Sequence, residues 1–254
     1  RGLLINLPPG MGKTLIAVAV AMDHMEDNFP IILASKSLHI NFITGIKKYI
    51  KMRAEVDPNF AIGKIPEEDQ DKWIAKNFGF VSMNASNMMD QMVKEAEGQV
   101  GKEFRKVQSK IEKKRVKEGQ YKAAAAMGSL YGKFLIVDEA HNLFRSITNG
   151  SKNGIDLYNM IMHSHELKII FLTGTIPVND PFEYVPCFNM LAGTDPSHPL
   201  FPGSYADFRR ALVSEKRLIK NENDSVAGSK LTMINKEKFQ NRIYGLVSHV
   251  GYNT

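Results

Sequence analysis

The sequence predicts an α/β fold in which helices flank a parallel sheet. Five short runs are apolar without interruption and have the length of strands, and helical patterns separate them. Unbroken apolar runs indicate strands that are buried on both faces, which is typical of parallel sheets. Strands that alternate with helices along a chain imply right-handed crossovers within one sheet.

The predicted elements follow one another over residues 1–200, which we expect to form one domain. The predicted strands are 3–7, 31–35, 78–82, 133–139 and 167–174. The predicted helices are 13–25, 39–52, 154–163 and 182–191. The tail, residues 201–254, is predicted to be a helical extension of the same domain. Within it Ser204 and Asn235 are expected N-cap residues and 220–230 an exposed loop.

Residues 88–128 interrupt this alternation and contain no predicted strand. Between Lys94 and Lys122 there are ten Lys or Arg and five Glu, so most of the net charge of +6 lies in this stretch. We expect a charged helix or helical hairpin inserted into the domain. The mixture of signs favours a solvated surface helix, and a basic arm that contacts nucleic acid or a protein is the alternative.

The composition limits the classes of function. A net charge of +6 and a pI of about 9.2 fit a polyanionic partner. The single cysteine, Cys187, excludes an internal disulfide and a multi-cysteine zinc site. No apolar run approaches the ~20 residues of a membrane span, so no membrane partner is expected. Arg1 and Gly2 lead directly into a strand, so we expect the chain to be part of a longer protein.

A phosphate-binding loop is predicted where the first strand meets the first helix, in the stretch INLPPGMGKTLI. The strict pattern is G-x-x-x-x-G-K-[ST], and Leu7 stands where its first glycine should be. Lys13 would reach the β- and γ-phosphates, and the Thr14 hydroxyl would help to hold Mg²⁺. The residues predicted to contact the nucleotide are Pro9, Gly10, Met11, Gly12, Lys13, Thr14 and Leu15.

A second candidate site element is the acidic end of the predicted strand in FLIVDEAH. The carboxyl ends of parallel strands are where open α/β sheets bind ligands. Asp138 suits Mg²⁺, directly or through water, and Glu139 suits polarising an attacking water molecule.

These motifs together resemble a known family. GMGKT, DEAH and LTGT, in that order, resemble motifs I, II and III of superfamily 2 helicases, whose motif I is anchored on G-x-G-K-T, so that Leu7 is tolerated. LTGTIPVNDPFE is similar to the SNF2-type motif L-T-G-T-P-I-x-N, with Ile176 and Pro177 exchanged. ILASKSLHINFITGIKKY resembles motif Ia. NDPFEYVPCFNMLAG and NRIYGLVSHVG resemble SNF2-like helicases of nucleocytoplasmic large DNA viruses, which are kin of the poxvirus nucleoside triphosphatase I and early transcription factor ATPases.

The resemblance implies a RecA-like lobe that binds ATP and Mg²⁺. It implies that His141 couples the nucleotide site to motif III and acts with Lys13, Asp138 and Glu139 in catalysis. The residues that would link hydrolysis to lobe movement are Thr173, Gly174 and Thr175. The residues that would hold a nucleic-acid backbone are Ser35, Lys36, Ser37 and Asn84. The alternative for His141 is a plain surface or capping histidine, and the alternative for Thr173 and Thr175 is ordinary strand-end hydroxyls. For the nucleic-acid set the alternative is a polar loop after a strand.

The family's second RecA-like lobe, which supplies motifs IV to VI, has no counterpart in the sequence. The chain alone is therefore expected to bind ATP weakly and to hydrolyse it slowly. We interpret it as the N-terminal ATP-binding lobe of a viral helicase or translocase, with DNA favoured over RNA and the viral transcription machinery as a candidate partner. It would work in the host cytoplasm, viral factory or virion. The alternative is a nucleotide-binding scaffold or transcription-complex subunit with a switch-like or vestigial ATPase.

Overall fold

The computed structural model of the chain describes residues 1–97, 130–175, 180–219 and 226–249, with the backbone alone for 213–219 and 226–233. Its main feature is a sheet of six strands, all parallel to their neighbours, in the order β3-β2-β4-β5-β1-β8. These strands are β1 Gly2–Asn6, β2 Phe29–Ala34, β3 Gly79–Ser82, β4 Lys133–Val137, β5 Lys168–Thr173 and β8 Val247–His249. The predicted parallel α/β sheet is confirmed.

Helices cover both faces of this sheet. On one face lie α1 Lys13–Asp23, α2 His39–Val56 and α3 Glu67–Asn77. On the other face lie α4 Met88–Glu97, α5 His141–Thr148, α6 Lys152–Met162, α7 Tyr184–Ala192, α8 Tyr205–Leu212 and α9 Lys236–Ile243. Helix α5 was not among the predicted elements, because its eight residues are too few to show a clear helical period.

Burial on both faces explains the unbroken apolar runs. Along β4, Leu135 and Val137 join the core under α4 to α9, whereas Phe134 and Ile136 join the core under α1 to α3. Successive side chains of a strand point to opposite faces, so a strand between two helical layers needs apolar residues at every position.

The predicted insertion begins later than expected. Residues Met88–Glu97 form α4, whose Met88, Met92 and Ala96 are buried in the core beside β3. This helix therefore belongs to the sheet domain rather than to the insertion. The rest of the predicted basic insertion, residues 98–128, lies outside the described residues.

The prediction of a purely helical tail is wrong in part. Helices α8 and α9 are present, but β6 Val213–Ile219 and β7 Val226–Met233 pair as an antiparallel hairpin between them. The predicted loop 220–230 therefore overlaps a strand from Val226 onward. Strand β8 joins the main sheet beside β1, with Val247 opposite Leu4. Its three residues carry too little pattern to predict a strand.

Both predicted N-cap residues stand at helix starts. The Ser204 hydroxyl accepts a hydrogen bond from the Asp207 amide at 3.5 Å, as an N-cap does. Asn235 precedes α9 with a left-handed backbone, φ 54°, and does not cap the helix with its side chain. Its amide group instead donates to the Ala211 carbonyl at 3.0 Å and ties α9 to the end of α8.

No helix in the parts of the chain that the structure describes combines the length and hydrophobicity required to cross a membrane.

Candidate active site

The loop between β1 and α1 is fixed to the neighbouring strand. The Leu7 amide donates to the Thr173 carbonyl at 3.1 Å, and this hydrogen bond ties the first residue of the loop to the end of the neighbouring strand β5. Gly10 and Gly12 have φ angles of 82° and 80°. A Cβ atom at either position would meet nothing within 4 Å, so glycine is required by the left-handed backbone and not by lack of space.

Lys13, the first residue of α1, lies over this loop. Its Nζ donates to the Leu7 carbonyl at 2.9 Å. A Cβ atom added to Gly174 would lie 3.0 Å from Lys13 Nζ and 3.3 Å from the Leu7 oxygen, so Gly174 leaves the room that the lysine occupies. The Leu7 contact was missed in the sequence because a main-chain carbonyl carries no sequence signal.

The turn after β4 is held by strands on both sides. The Asp138 amide donates to the Leu33 carbonyl at 3.0 Å, and the Ala140 amide donates to the Leu172 carbonyl at 2.9 Å. The Asp138 carboxylate accepts from the Glu139 amide at 3.0 Å. These bonds to β2 and β5 fix the two acidic residues at the carboxyl edge of the sheet, where the sequence predicted them.

Glu139 has a left-handed backbone with φ 47°. This conformation is uncommon for residues other than glycine and costs roughly 1–2 kcal/mol. The side chain is 39% exposed, and its Oε2 lies 3.3 Å from His141 Nδ1. Strain of this kind persists where the surrounding structure imposes it, and it is concentrated at functional sites.

Three groups surround the Thr173 hydroxyl: the Thr175 carbonyl, the Thr175 amide and His141 Nδ1. Thr173 Oγ1 donates its single proton to the Thr175 carbonyl at 2.8 Å and accepts from the Thr175 amide at 3.1 Å. His141 Nδ1 lies 3.0 Å from the same oxygen. Because the hydroxyl proton is already used, the proton of this contact must be on His141 Nδ1. The residues predicted to couple motifs II and III are thus in direct contact.

Burial raises the pKa of Asp138 above its ordinary value. The residue is 9% exposed, and desolvation is the largest cause of the shift. The hydrogen bond from the Glu139 amide opposes it, the charge of Glu139 adds to it, and the charges of Lys13 and His141 oppose it. Burial thus disfavours the charged form of Asp138 in the nucleotide-free chain, and a bound cation would stabilise that charged form.

We expect Asp138→Asn to raise the melting temperature of the nucleotide-free chain at pH 7. The raised pKa means that the folded chain binds this proton more tightly than the unfolded chain does. The resulting stabilisation is fully present below the ordinary pKa of about 3.9 and is lost as the pH rises through the raised pKa. Asparagine does not ionise, so it does not lose this stabilisation at pH 7, and it keeps an oxygen that can accept from the Glu139 amide.

Thermal melts of both proteins between pH 8 and about pH 4 test this expectation, since the gain should shrink as the native carboxyl becomes protonated. Asp207→Asn is the matched control, because Asp207 is exposed on α8. A gain that grows as the pH falls would contradict the argument.

A magnesium ion would find a sparse set of protein ligands here. The structure shows no group of three or more His, Cys, Asp or Glu suited to a metal in the part of the chain that it describes. Thr14, in the first turn of α1, and Asp138 offer one hydroxyl and one carboxylate. This donor set fits Mg²⁺, which keeps several waters and is commonly completed by substrate phosphates.

The predicted nucleic-acid contacts lie at the ends of β2 and β3, on the same edge of the sheet. Ser35 and Ser37 hydroxyl oxygens are 3.1 Å apart, and Lys36 and Asn84 are exposed. The Gln91 side chain accepts from the Ser82 amide at 3.0 Å and so fixes the end of β3 just before Asn84. The structure brings these residues to one edge but shows no direct contact between Asn84 and the serines.

Comparison with known proteins identifies the family of the chain. The family model described as DEAD/DEAH box helicase matches residues 1–183. The chain is 36% identical to the "Termination factor NPH-I homolog" of African swine fever virus, in isolates Pig/Kenya/KEN-50/1950 and Tick/South Africa/Pretoriuskop Pr4/1996. Each alignment of 256 residues covers 99% of this chain and 28% of the relative, so the chain spans less than a third of these relatives.

A solved structure is also similar, the "Sulfolobus solfataricus SWI2/SNF2 ATPase core in complex with dsDNA". The TM-score is 0.46 at 14% identity, with 100% of this chain and 41% of that chain covered. The predicted resemblance to superfamily 2 helicases of viral type is confirmed by the family match and the viral relatives. The chain belongs to the DEAD/DEAH box helicase family, and its parallel sheet with the phosphate loop and the DEAH turn is the first, RecA-like lobe of such a helicase.

Proposed function

We propose that this chain binds ATP and Mg²⁺ as the N-terminal lobe of a nucleic-acid translocase or helicase, and that the longer protein hydrolyses ATP to ADP and phosphate. The observation that carries the proposal is the convergence of Lys13, Asp138 and Glu139 at one sheet edge, with Glu139 held in a strained backbone. A scaffold that only binds nucleotide has no use for Glu139. The alternative of a switch-like or vestigial ATPase is therefore less favoured.

Each residue has a proposed task at the phosphates. The backbone amides of residues 10–15 and the Lys13 side chain bind the phosphate chain, Pro9 contacts it without donating, and Lys13 Nζ leaves the Leu7 carbonyl for the β- and γ-phosphates. Thr14 and Asp138 would hold Mg²⁺, which when bound would neutralise charge that develops on the phosphates. Glu139 orients the attacking water and accepts its proton.

His141 links changes at Glu139 to the residues at the end of β5 and after it. Its Nδ1 proton lies within reach of both the Glu139 carboxylate and the Thr173 hydroxyl, at 3.3 and 3.0 Å. A change in the charge or position of Glu139 would redistribute this proton between the two acceptors. Thr173 and Thr175 would respond, because both of their hydrogen bonds use the Thr173 hydroxyl, and Gly174 lies between them.

We propose that nucleic acid, with duplex DNA favoured, lies across the ends of β2 and β3. Hydroxyls and one lysine suit contacts with backbone phosphates, which position a duplex without reading its sequence. The relatives are named as termination factors, which supports the viral transcription machinery as a partner. The share of the relatives that the chain leaves uncovered is large enough to supply a second RecA-like lobe.

The function is tested with the longer protein that contains this lobe. Its ATPase rate is measured without nucleic acid and with duplex DNA, single-stranded DNA and single-stranded RNA. We expect stimulation, strongest with duplex DNA, and little turnover by the 254-residue chain alone. Absence of stimulation by every nucleic acid would contradict the motor function, and rapid stimulated turnover by the isolated chain would contradict the need for a second lobe.

Lys36→Ala is expected to weaken nucleic-acid binding about equally for all sequences. Loss of one phosphate contact should reduce the slope of log K against log salt by about 1. Binding titrations at several salt concentrations measure this slope. Lys76→Ala is the matched control, since Lys76 is an exposed lysine just before β3, at the opposite edge of the sheet. Equal slopes for the two variants would remove Lys36 from the interface.

A further inference from the structure

Helix α5 contacts both ends of the segment between β5 and α7. We name residues 173–175 and 180–183, the two described ends of this connection, the coupling segment. At its start, Thr173 Oγ1 lies 3.0 Å from His141 Nδ1. At its end, Glu183 Oε2 lies 3.9 Å from Arg145 Nε. His141 and Arg145 are four residues apart on α5, and this spacing places them on one face of the helix.

The Glu183 carboxylate depends on its cation. The side chain is 13% exposed, and Oε2 is buried without a hydrogen-bond partner among the described residues. A buried carboxylate oxygen without a hydrogen bond is unfavourable unless a nearby charge compensates it. Arg145 is the cation found within ion-pair distance. Because 3.9 Å exceeds the length of a hydrogen bond, a small shift of α5 can tighten or break this pair.

The residues around Glu183 are held by contacts of their own. The Asp180 carboxylate accepts from the Phe182 amide at 2.8 Å, which fixes the turn Pro181–Glu183. The Phe182 ring packs edge-on against Tyr205 and Phe208, with ring centroids 5.2 and 5.5 Å away. The end of the coupling segment is thus anchored to α8, so a displacement of α5 changes the Arg145–Glu183 distance rather than carrying the turn along.

We propose that Arg145 and Glu183 are positioning residues that join the far end of the coupling segment to the helix that follows the DEAH turn. Helix α5 begins at His141, directly after Asp138, Glu139 and Ala140. A nucleotide-dependent shift of the DEAH turn would move α5 and so change two contacts with the coupling segment, that of His141 with Thr173 and that of Arg145 with Glu183. The inference rests on the proposed ATPase function, since the signal starts at the nucleotide.

Hydrogen exchange of the 254-residue chain tests the proposal. Exchange of peptides from residues 171–184 is measured with and without Mg²⁺ and a non-hydrolysable ATP analogue. In the wild type we expect the analogue to slow exchange in these peptides. In Glu183→Gln we expect that slowing to be lost, while the affinity for the analogue stays the same. Arg145→Lys, which keeps the cation, is expected to retain it.

Two further variants separate coupling from packing. The exchanged pair, Arg145→Glu with Glu183→Arg, is expected to restore the slowing. Asp207→Asn, which breaks the exposed 3.3 Å pair with Arg210 on α8, is expected to leave it unchanged. Melting temperatures of all variants show which of them are folded, and Arg145→Gln, which removes the cation and is expected to lose the slowing, serves as the test if Glu183→Gln does not fold.

The outcomes distinguish this inference from the proposed function. The inference is wrong if Glu183→Gln responds to the analogue as the wild type does, or if the exchanged pair fails to restore a response that Glu183→Gln has lost. It is also wrong if the wild type binds the analogue without any change in residues 171–184, and in that case the proposed ATP binding stands. If the wild type does not bind the analogue, the proposed function and the inference both fail.

Discussion

Glu139→Gln is expected to slow ATP hydrolysis by the longer protein at least about 100-fold, because a positioned general base contributes roughly 10²–10⁴ in rate. Glutamine has nearly the same shape and keeps an oxygen that can accept from His141 Nδ1, now 3.3 Å from the carboxylate. It cannot accept the proton of the attacking water. Binding of ATP and Mg²⁺ is expected to be unchanged, since Lys13, Thr14 and Asp138 remain.

The measurement pairs single-turnover phosphate release with equilibrium titration of a fluorescent ATP analogue. Glu166→Gln is a closely matched control. Glu166 also has a left-handed backbone, φ 51° against 47° for Glu139, but it is exposed in the turn before β5, at the opposite edge of the sheet. Hydrolysis at the wild-type rate in Glu139→Gln, or an equal loss in both variants, would contradict the assignment of Glu139 as the base.

The sequence predicted the sheet well because every strand of its centre is buried on both faces. Apart from polar residues at some of their ends, strands β1, β2, β4 and β5 are continuous apolar runs, and their predicted bounds differ from the observed ones by only a few residues. The central positions of a strand between two helical layers are apolar on both faces, so its pattern differs from that of a surface element. Strand β8, at the sheet edge with its last two residues exposed, has no such pattern and was not predicted.

The site could be predicted as far as side chains in a motif define it. Asp138, Glu139, His141 and Thr173 were found from DEAH and LTGT, and the structure places them in contact or in adjacent positions. Two kinds of interaction were beyond the sequence. Main-chain contacts, such as the Leu7 carbonyl with Lys13 Nζ, do not depend on residue type.

The second kind is a pair that is distant along the chain. Arg145 and Glu183 become neighbours only because α5 packs against the turn before α7. One local signal was available, since Arg145 follows His141 by four residues and so shares its face of the helix. A carboxylate among the aromatic and apolar residues of PFEYVPCF is a second signal, because burying an acid is unfavourable unless it has a partner.

Lys13→Ala is expected to weaken ATP binding by about ten- to a hundredfold, since a hydrogen bond to a charged group contributes roughly 1.5–3 kcal/mol. The wild-type lysine rests on the Leu7 carbonyl at 2.9 Å, within the phosphate loop, and is partly exposed. Its removal should therefore have little effect on folding. Titration of the ATP analogue measures the affinity, and the melting temperature reports the fold.

Lys168→Ala is the control for a general loss of positive charge. Lys168 lies at the first position of β5, at the opposite edge of the sheet, where its Nζ is 3.2 Å from His24 Nδ1. We expect wild-type affinity for ATP in this variant. An affinity lowered equally by both substitutions would mean that net charge, and not contact with the phosphates, governs binding.

Lys13 and Asp138 are expected to act together on the metal-bound nucleotide. The charge of Lys13 lowers the pKa of Asp138 and so opposes the effect of burial. Lys13→Ala should raise that pKa further, and binding of Mg²⁺·ATP should then become more sensitive to acid than in the wild type. In Asp138→Asn there is no carboxylate to protonate, so adding Lys13→Ala should leave the pH dependence unchanged. Affinities of the four proteins between about pH 5 and 8 complete the cycle, and additive effects of the two substitutions at every pH would contradict this coupling.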